Sequence, residues 1–355
     1  MSIAARYLNR ELVGIFAVTL AMLLLVAVGG RFIGYLQEAA MGRFTGATVL
    51  TIMYMRLPEF VQLVTPFALF IAILITLGRL HADHEMVVLQ GGGAGTWRVI
   101  KWLSISAIVI IACVVLLAVY LTPAANHALS EFLTKQRNAT EFETVNPGAF
   151  HTYYGGRRVT YSEAMSDDRT MLYGVFMSQR DLNGNDVSIW AESGTQYVDE
   201  ASGSHFLVLN NGRRYESIPG QPNLRMMEFA QLRQRLSAED DDPNDLDIEA
   251  QPISSLGSDP EPAAEFHWRI GLGLFCLIGA LLAVGMSRVK PRQGRFARIM
   301  PGMLVMLLYY LALLLNRNAI VEAQLPSWMG LWFVHLAFAG LAAWQLSRLR
   351  QPVNA

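Results

Sequence analysis

The chain has 355 residues, with 28 Lys and Arg against 29 Asp and Glu, and 53% of it is hydrophobic. Only 16% is charged, where a soluble domain carries about 25%, so the composition excludes an ordinary water-soluble enzyme. The near-neutral total hides three blocks: residues 124–268 hold 23 acids and 11 bases, a net of −12, while the flanks together hold 6 acids and 17 bases, a net of +11.

Taken in order, the uncharged stretches are 12–30, 60–78, 102–126, 270–287, 299–316 and 323–347, six runs of 18 to 25 residues. As helices rising 1.5 Å per residue, each can cross the roughly 30 Å of a bilayer's hydrocarbon. Lipid offers no partners for free backbone groups, and none of the runs alternates as a barrel strand does, so six spanning helices are predicted, three plus three. Arg6 and Arg10 precede the first run. It is longer than a signal peptide's apolar core, and no small-residue cleavage site follows, so it reads as a retained span. Pro123, Pro301 and Pro326 lie near run ends, where a missing amide donor is tolerated, and mark boundaries.

At the end of the first run sits Arg31, beside Gly29, Gly30 and Gly34. Two readings stand: the side chain snorkels to the interface, or it pairs with a phosphate or carboxylate of an amphiphile where the glycines let helices approach. Between the second and third runs, Arg79–Leu89 reads as a short amphipathic helix with Asp83 and Glu85 near its start. Acids there suit the helix dipole. The functional alternative is a plug for a partner, with Glu85 pairing to a basic residue. The cluster His81-Ala82-Asp83-His84-Glu85 lacks the two-His i,i+4 arrangement of a zinc protease, and no second cluster is visible elsewhere. Gly91–Gly95 has neither a following Lys-Ser/Thr nor a preceding strand, so neither a metal site nor a phosphate loop is expected.

The middle block changes pattern. Short β-favouring runs at Ala149–Tyr154, Arg157–Ser162, Met171–Gln179, Val187–Ala191, Thr195–Val198, His205–Leu209 and Arg213–Ile218 are separated by Gly155-Gly156, Asn183-Gly184, Ser193-Gly194, Ser202-Gly203 and Asn211-Gly212. Such dipeptides suit tight hairpins, so an all-β sandwich or jelly roll of seven or more strands is predicted. Its sheet edges are templates for a further strand. Ser237–Pro262, with Glu239-Asp240-Asp241-Asp242-Pro243, is acidic and Pro-rich, and reads as a solvated tether or loop. Residues 1–126, 127–268 and 269–355 are the three expected parts.

Orientation follows from Lys and Arg in the short loops, twelve on one side and five on the other. Both termini and the 79–101 and 288–298 loops should face the cytosol, with the middle block outside. Cys113 and Cys276 both fall in predicted spans and offer no disulfide framework. No Ser/His/Asp constellation can be assembled, and His335 is the one ionisable group in mid-span, thin support for a proton-coupled carrier.

Leu57-Pro58-Glu59, Gln62-Leu63, Pro66, Thr76-Leu77-Gly78-Arg79-Leu80, Glu85, Glu265-x-x-Trp268-Arg269-Ile270 and Pro291-Arg292-Gln293-Gly294-Arg295, in that order, resemble the LptF/LptG permeases of the lipopolysaccharide export ABC transporter. The last run resembles the LptF branch. The resemblance implies a six-span α-helical polytopic membrane protein with an inserted periplasmic jelly-roll-like all-β domain. It also implies a transport subunit without its own ATPase site or cofactor, in the bacterial inner membrane. Its implied partners are an LptG permease, an LptB ATPase dimer, LptC and through it LptA, and its cargo is lipopolysaccharide. By the same resemblance Glu85, with Asp83 beside it, couples to the ATPase, and Arg31 faces the lipid A phosphates. Gly34 stands at the family's next basic position, so one basic residue carries over there rather than a clamp. The competing expectation is a non-transporting envelope scaffold whose exported domain binds partners.

Overall fold

The computed structural model describes residues 3–40, 46–93, 96–143, 147–153, 158–168, 170–180, 185–198, 205–217, 224–235, 248–287 and 298–348. Gly155-Gly156, Asn183-Gly184, Ser202-Gly203, the run Glu239–Pro243, Lys290 and the Pro291–Arg295 motif lie outside the described residues. The chain divides into two compact units, Met1–Leu129 with Leu246–Ala355, and Ser130–Asp245.

In the first unit, six helices are long and apolar enough to cross a membrane: Ile3–Gln37, Leu57–Ala82, Trp97–Leu133, Pro260–Met286, Ile299–Val321 and Ser327–Arg348. We label the helices α1 (Ile3–Ala40), α2 (Gly46–Met55), α3 (Leu57–Ala82), α4 (Glu85–Gly91), α5 (Thr96–Leu116), α6 (Thr122–Glu143), α7 (Pro260–Met286), α8 (Ile299–Val321) and α9 (Trp332–Arg348). α3 is apolar on every face and correspondingly central, packing against α1, α5, α7 and α8. The core gathers Leu69, Phe70, Phe275, Met306 and Tyr309, with the Phe275 and Tyr309 rings 4.9 Å apart edge to face and Tyr309 stacked on Phe338 at 4.1 Å. Cys276 is buried in this core, whereas Cys113 is exposed on α5.

Three helical features differ from the sequence expectation. α2 is a ten-residue apolar helix too short to span, whose Val49 and Met53 pack, with Phe60 of α3, on Leu24, Val28, Phe32, Tyr35 and Ala39 of α1. Pro123 does not end its helix. A π-helical turn at Leu117–Leu121 precedes it, and the helix runs on through the proline into α6, the widened turn accommodating the ring and the missing donor. The predicted helix Arg79–Leu89 is two pieces: α3 runs to Ala82, His84 adopts φ 60°, and α4 starts at Glu85.

The second unit takes in the end of α6 and then an all-β domain, one antiparallel sheet in the order β1 (Phe150–Tyr153), β2 (Arg158–Met165), β3 (Met171–Arg180), β4 (Asp186–Val198), β5 (His205–Ser217) and β6 (Leu224–Arg235). Its core is Leu172, Val175, Met177, Val187, Ile189, Ala191, Leu207 and Leu209. Ser193-Gly194 and Asn211-Gly212 are not hairpin turns but lie inside β4 and β5, which merges four predicted strands into two. The glycines serve close approach instead. A Cβ on Gly212 would fall 2.3 Å from the Trp190 carbonyl and 2.5 Å from the Phe229 ring, and one on Gly194 would press on Leu207 and Leu209. Asn211 kinks β5 at φ 50° with the register unchanged, Ala191 opposite Gly212 and Ser193 opposite Asn210. β6 was absent from the sequence expectation.

The expected tether also differs where it is described. Residues 248–262 carry two 3-10 turns, Ile248–Ala250 and Ile253–Ser255, and then enter α7, with Ala250 buried. Acidic composition did not prevent packing because two arginines of the helical unit take up its carbonyls and Glu249.

Candidate functional site

The α3–α4 elbow is built around Arg79. Its Nη2 donates to Glu11 Oε2 and to the Tyr7 hydroxyl, both at 2.6 Å, and its Nε lies 2.5 Å from Glu11 Oε1. The guanidinium also sits 5.8 Å from the centre of the Tyr7 ring. Asp83 caps α3, its amide donating to the Arg79 carbonyl at 2.9 Å, and the next amide, of His84, donates to the His81 carbonyl at 3.4 Å. The left-handed His84 then turns the chain, and its carbonyl accepts from the Val87 and Val88 amides at 3.1 and 3.3 Å.

This turn sets both predicted acids beside the same arginine. Asp83 Oδ2 is 3.9 Å and Glu85 Oε1 3.6 Å from Arg79 Nη1, with side chains 51% and 38% exposed. Three carboxylates therefore surround one guanidinium, and the two elbow acids keep free acceptor capacity. α4 is seated by Met86, which is buried against a small cavity shared with Leu77, His81, Val99, Ile100, Val284 and Ser287. Val87 and Val88 point away, 64% and 74% exposed. The elbow presents acids and two bare valines on a helix fixed to the core, which suits a partner bringing one cation and an apolar pocket.

Arg31 is not part of this arrangement. It lies exposed on α1, 20 residues and so about 30 Å along the helix from Glu11. No ion pair to it occurs among the described residues. Among the described residues, nothing lies within 4 Å of where a Cβ on Gly29, Gly30 or Gly34 would stand.

Two polar assemblies gather residues that the sequence singled out, Glu265, Trp268 and Arg269 in one and His335 in the other, with partners that it did not indicate. In the first, Arg269 is 2% exposed and donates from Nε to Glu265 Oε1 at 2.8 Å, from Nη1 to the Gln251 carbonyl at 2.7 Å, and from Nη2 to the Ile248 and Glu249 carbonyls at 3.1 and 3.3 Å. Arg317 of α8 takes the other Glu265 oxygen at 2.9 Å, approaches Glu249 at 3.7 Å and lies over the Trp268 ring at 5.4 Å. The i,i+4 spacing of Glu265 and Arg269 was the available signal. In the second, His335 is buried with Nδ1 2.6 Å from the Tyr309 hydroxyl, a polar pair between α8 and α9 inside the bundle.

A family model described as lipopolysaccharide export system permease LptF/LptG matches residues 6–348. The chain is similar to the lipopolysaccharide export system permease protein LptF of Escherichia coli K12, with 28% identity over 347 residues, covering 96% of this chain and 93% of that protein. The LptF protein of Shigella flexneri matches with the same identity and coverage.

Proposed function

The chain belongs to the LptF/LptG family of lipopolysaccharide export permeases, and on that premise we propose that it is the motorless half of a transporter driven through the α3–α4 elbow. It is a multi-pass inner-membrane permease subunit of lipopolysaccharide export, a transport component rather than an enzyme. In the proposed mechanism it pairs with an LptG permease, and a cytosolic LptB ATPase dimer grips α4. The cavity between the permeases takes lipopolysaccharide sideways from the outer leaflet. The β domain, facing the periplasm, hands it to LptC and onward to LptA. Both termini are then cytoplasmic, in keeping with the Lys and Arg bias of the short loops.

The observation that carries the mechanism is the elbow itself. Glu85 and Asp83 are half-exposed and lie beside but not within hydrogen-bond distance of Arg79, Asp83 at the cap of α3 and Glu85 at the start of the short α4 between two spans. A cationic side chain from the ATPase would offset part of the excess negative charge around Arg79, and the buried Met86 would pass the displacement into the core. Arg31 supplies a single basic group at the outer end of α1 for a lipid A phosphate.

Replacing Glu85 by Ala tests this reading. Export should fail while the permease pair remains in the membrane, with lipopolysaccharide accumulating at the inner membrane. Normal export by that variant would refute the coupling role, and unchanged lipid distribution on depletion of the whole chain would favour a scaffold.

A further inference from the structure

We propose that Glu11 and Asn9 are positioning residues that carry movement of α4 to the root of α1, so that the elbow works the first span as a lever. The inference rests on the reading of α4 as the ATPase seat. α4 lies between α3 and α5, and each of these is tied to α1 within three consecutive residues. On one side Glu11 holds Arg79, four residues before the cap of α3. On the other, Asn9 donates to the Trp102 carbonyl at 2.7 Å and accepts from the Ser106 hydroxyl at 2.6 Å, both on α5. Asn9 also donates to its own helix at the Ala5 carbonyl, 2.7 Å away, which holds the amide in a single orientation.

The rest of α1 is built differently. Ala5, Leu8 and Leu12 are buried at the root, yet only 6% of the α1 span window is buried, against 72% for α3. Its outer half packs on the short α2 and the start of α3. From residue 11 to residue 40 the helix is about 44 Å long, so a tilt of about 5° at the root displaces the outer end, and Arg31 near it, by several ångströms. Directional, charge-assisted bonds transmit such a tilt better than apolar contacts, which slide. A glutamate at the margin of a span is also costly unless paired, which accounts for Glu11 through Arg79.

The test uses the full complex of this chain, a second permease and the ATPase in proteoliposomes loaded with lipopolysaccharide, with a soluble acceptor outside. ATP hydrolysis and lipopolysaccharide delivery are measured together. For Glu11→Gln, hydrolysis should stay within about twofold while delivery per ATP falls about tenfold, with Asn9→Ala and Tyr7→Phe showing smaller losses of the same ratio. Glu11→Asp, which restores the charge, should recover most of the ratio. If Glu11→Gln does not assemble, Asn9→Ala and Tyr7→Phe decide by that ratio. An unchanged ratio in these variants, or hydrolysis and delivery falling in step, would overturn the lever. A wild-type complex that delivers nothing on ATP addition would instead reject the functional reading beneath it.

Discussion

Two arginines of the helical unit meet carboxylates in opposite ways. Arg269 is 2% exposed, and each of its three nitrogens donates, to Glu265 and three backbone carbonyls, while Arg317 occupies the second Glu265 oxygen. Arg79 is 24% exposed and serves Glu11 and Tyr7, leaving Asp83 and Glu85 nearby with capacity to spare. A buried, saturated ion pair fixes structure, because losing one partner strands the other in a low-dielectric interior. Exposed acids poised beside a shared cation add little to stability and remain available for recognition.

The largest expected effect breaks the first assembly. Arg269→Ala leaves Glu265 buried with only Arg317 and frees three carbonyls, and should destabilise the helical unit by about 3–5 kcal/mol, read as loss of folded protein in detergent melting. Arg79→Ala should cost about 1–2 kcal/mol, since its pairs are partly solvated. Comparable losses in the two variants would erase the distinction. In the sheet domain, Gly212→Ala should cost about 1–3 kcal/mol by forcing a methyl against the Trp190 carbonyl and the Phe229 ring.

Glu85→Ala sharpens the contrast from the other side: melting should move by less than about 0.5 kcal/mol equivalent, although export is lost. Arg31→Glu should leave folding unchanged and weaken photocrosslinking of lipopolysaccharide near the outer end of α1 by severalfold. Unchanged crosslinking would assign Arg31 to snorkelling alone. The smallest effect belongs to Asp168, whose carboxyl is held below the usual range by the Ser166 hydroxyl and by Thr170. A lowered folded-state pKa means this turn is tightest above the ordinary carboxylate pKa of about 3.9 and loosens as pH falls through the lower folded value. Hydrogen exchange at the Thr170 and Met171 amides, which bond to the Ser166 hydroxyl, reads it directly.

The spans were legible because lipid tolerates few arrangements of backbone, and uninterrupted apolar length is enough to reveal them. Glu85 stands out in the sequence for a related reason, as an acid in a short loop between two spans. Glu11 was not, because beside Arg10 it looks like an ordinary boundary charge, and its partner lies 68 residues away. The Glu265–Arg269 spacing was visible, but its burial depends on residues 248–251 folding back, which acidic composition disguised as a tether. In the sheet, Gly194 and Gly212 read as turns because a glycine that makes room for a neighbouring side chain looks the same in sequence as one that bends the chain.

Purification of the chain from its native membrane in mild detergent tests the central claim most directly. The expected result is co-elution with a second six-span permease and a cytosolic ATPase, and release of the ATPase alone when Glu85 is replaced by Ala. Lipopolysaccharide export by the isolated polypeptide, with no nucleotide-hydrolysing companion present, would contradict it.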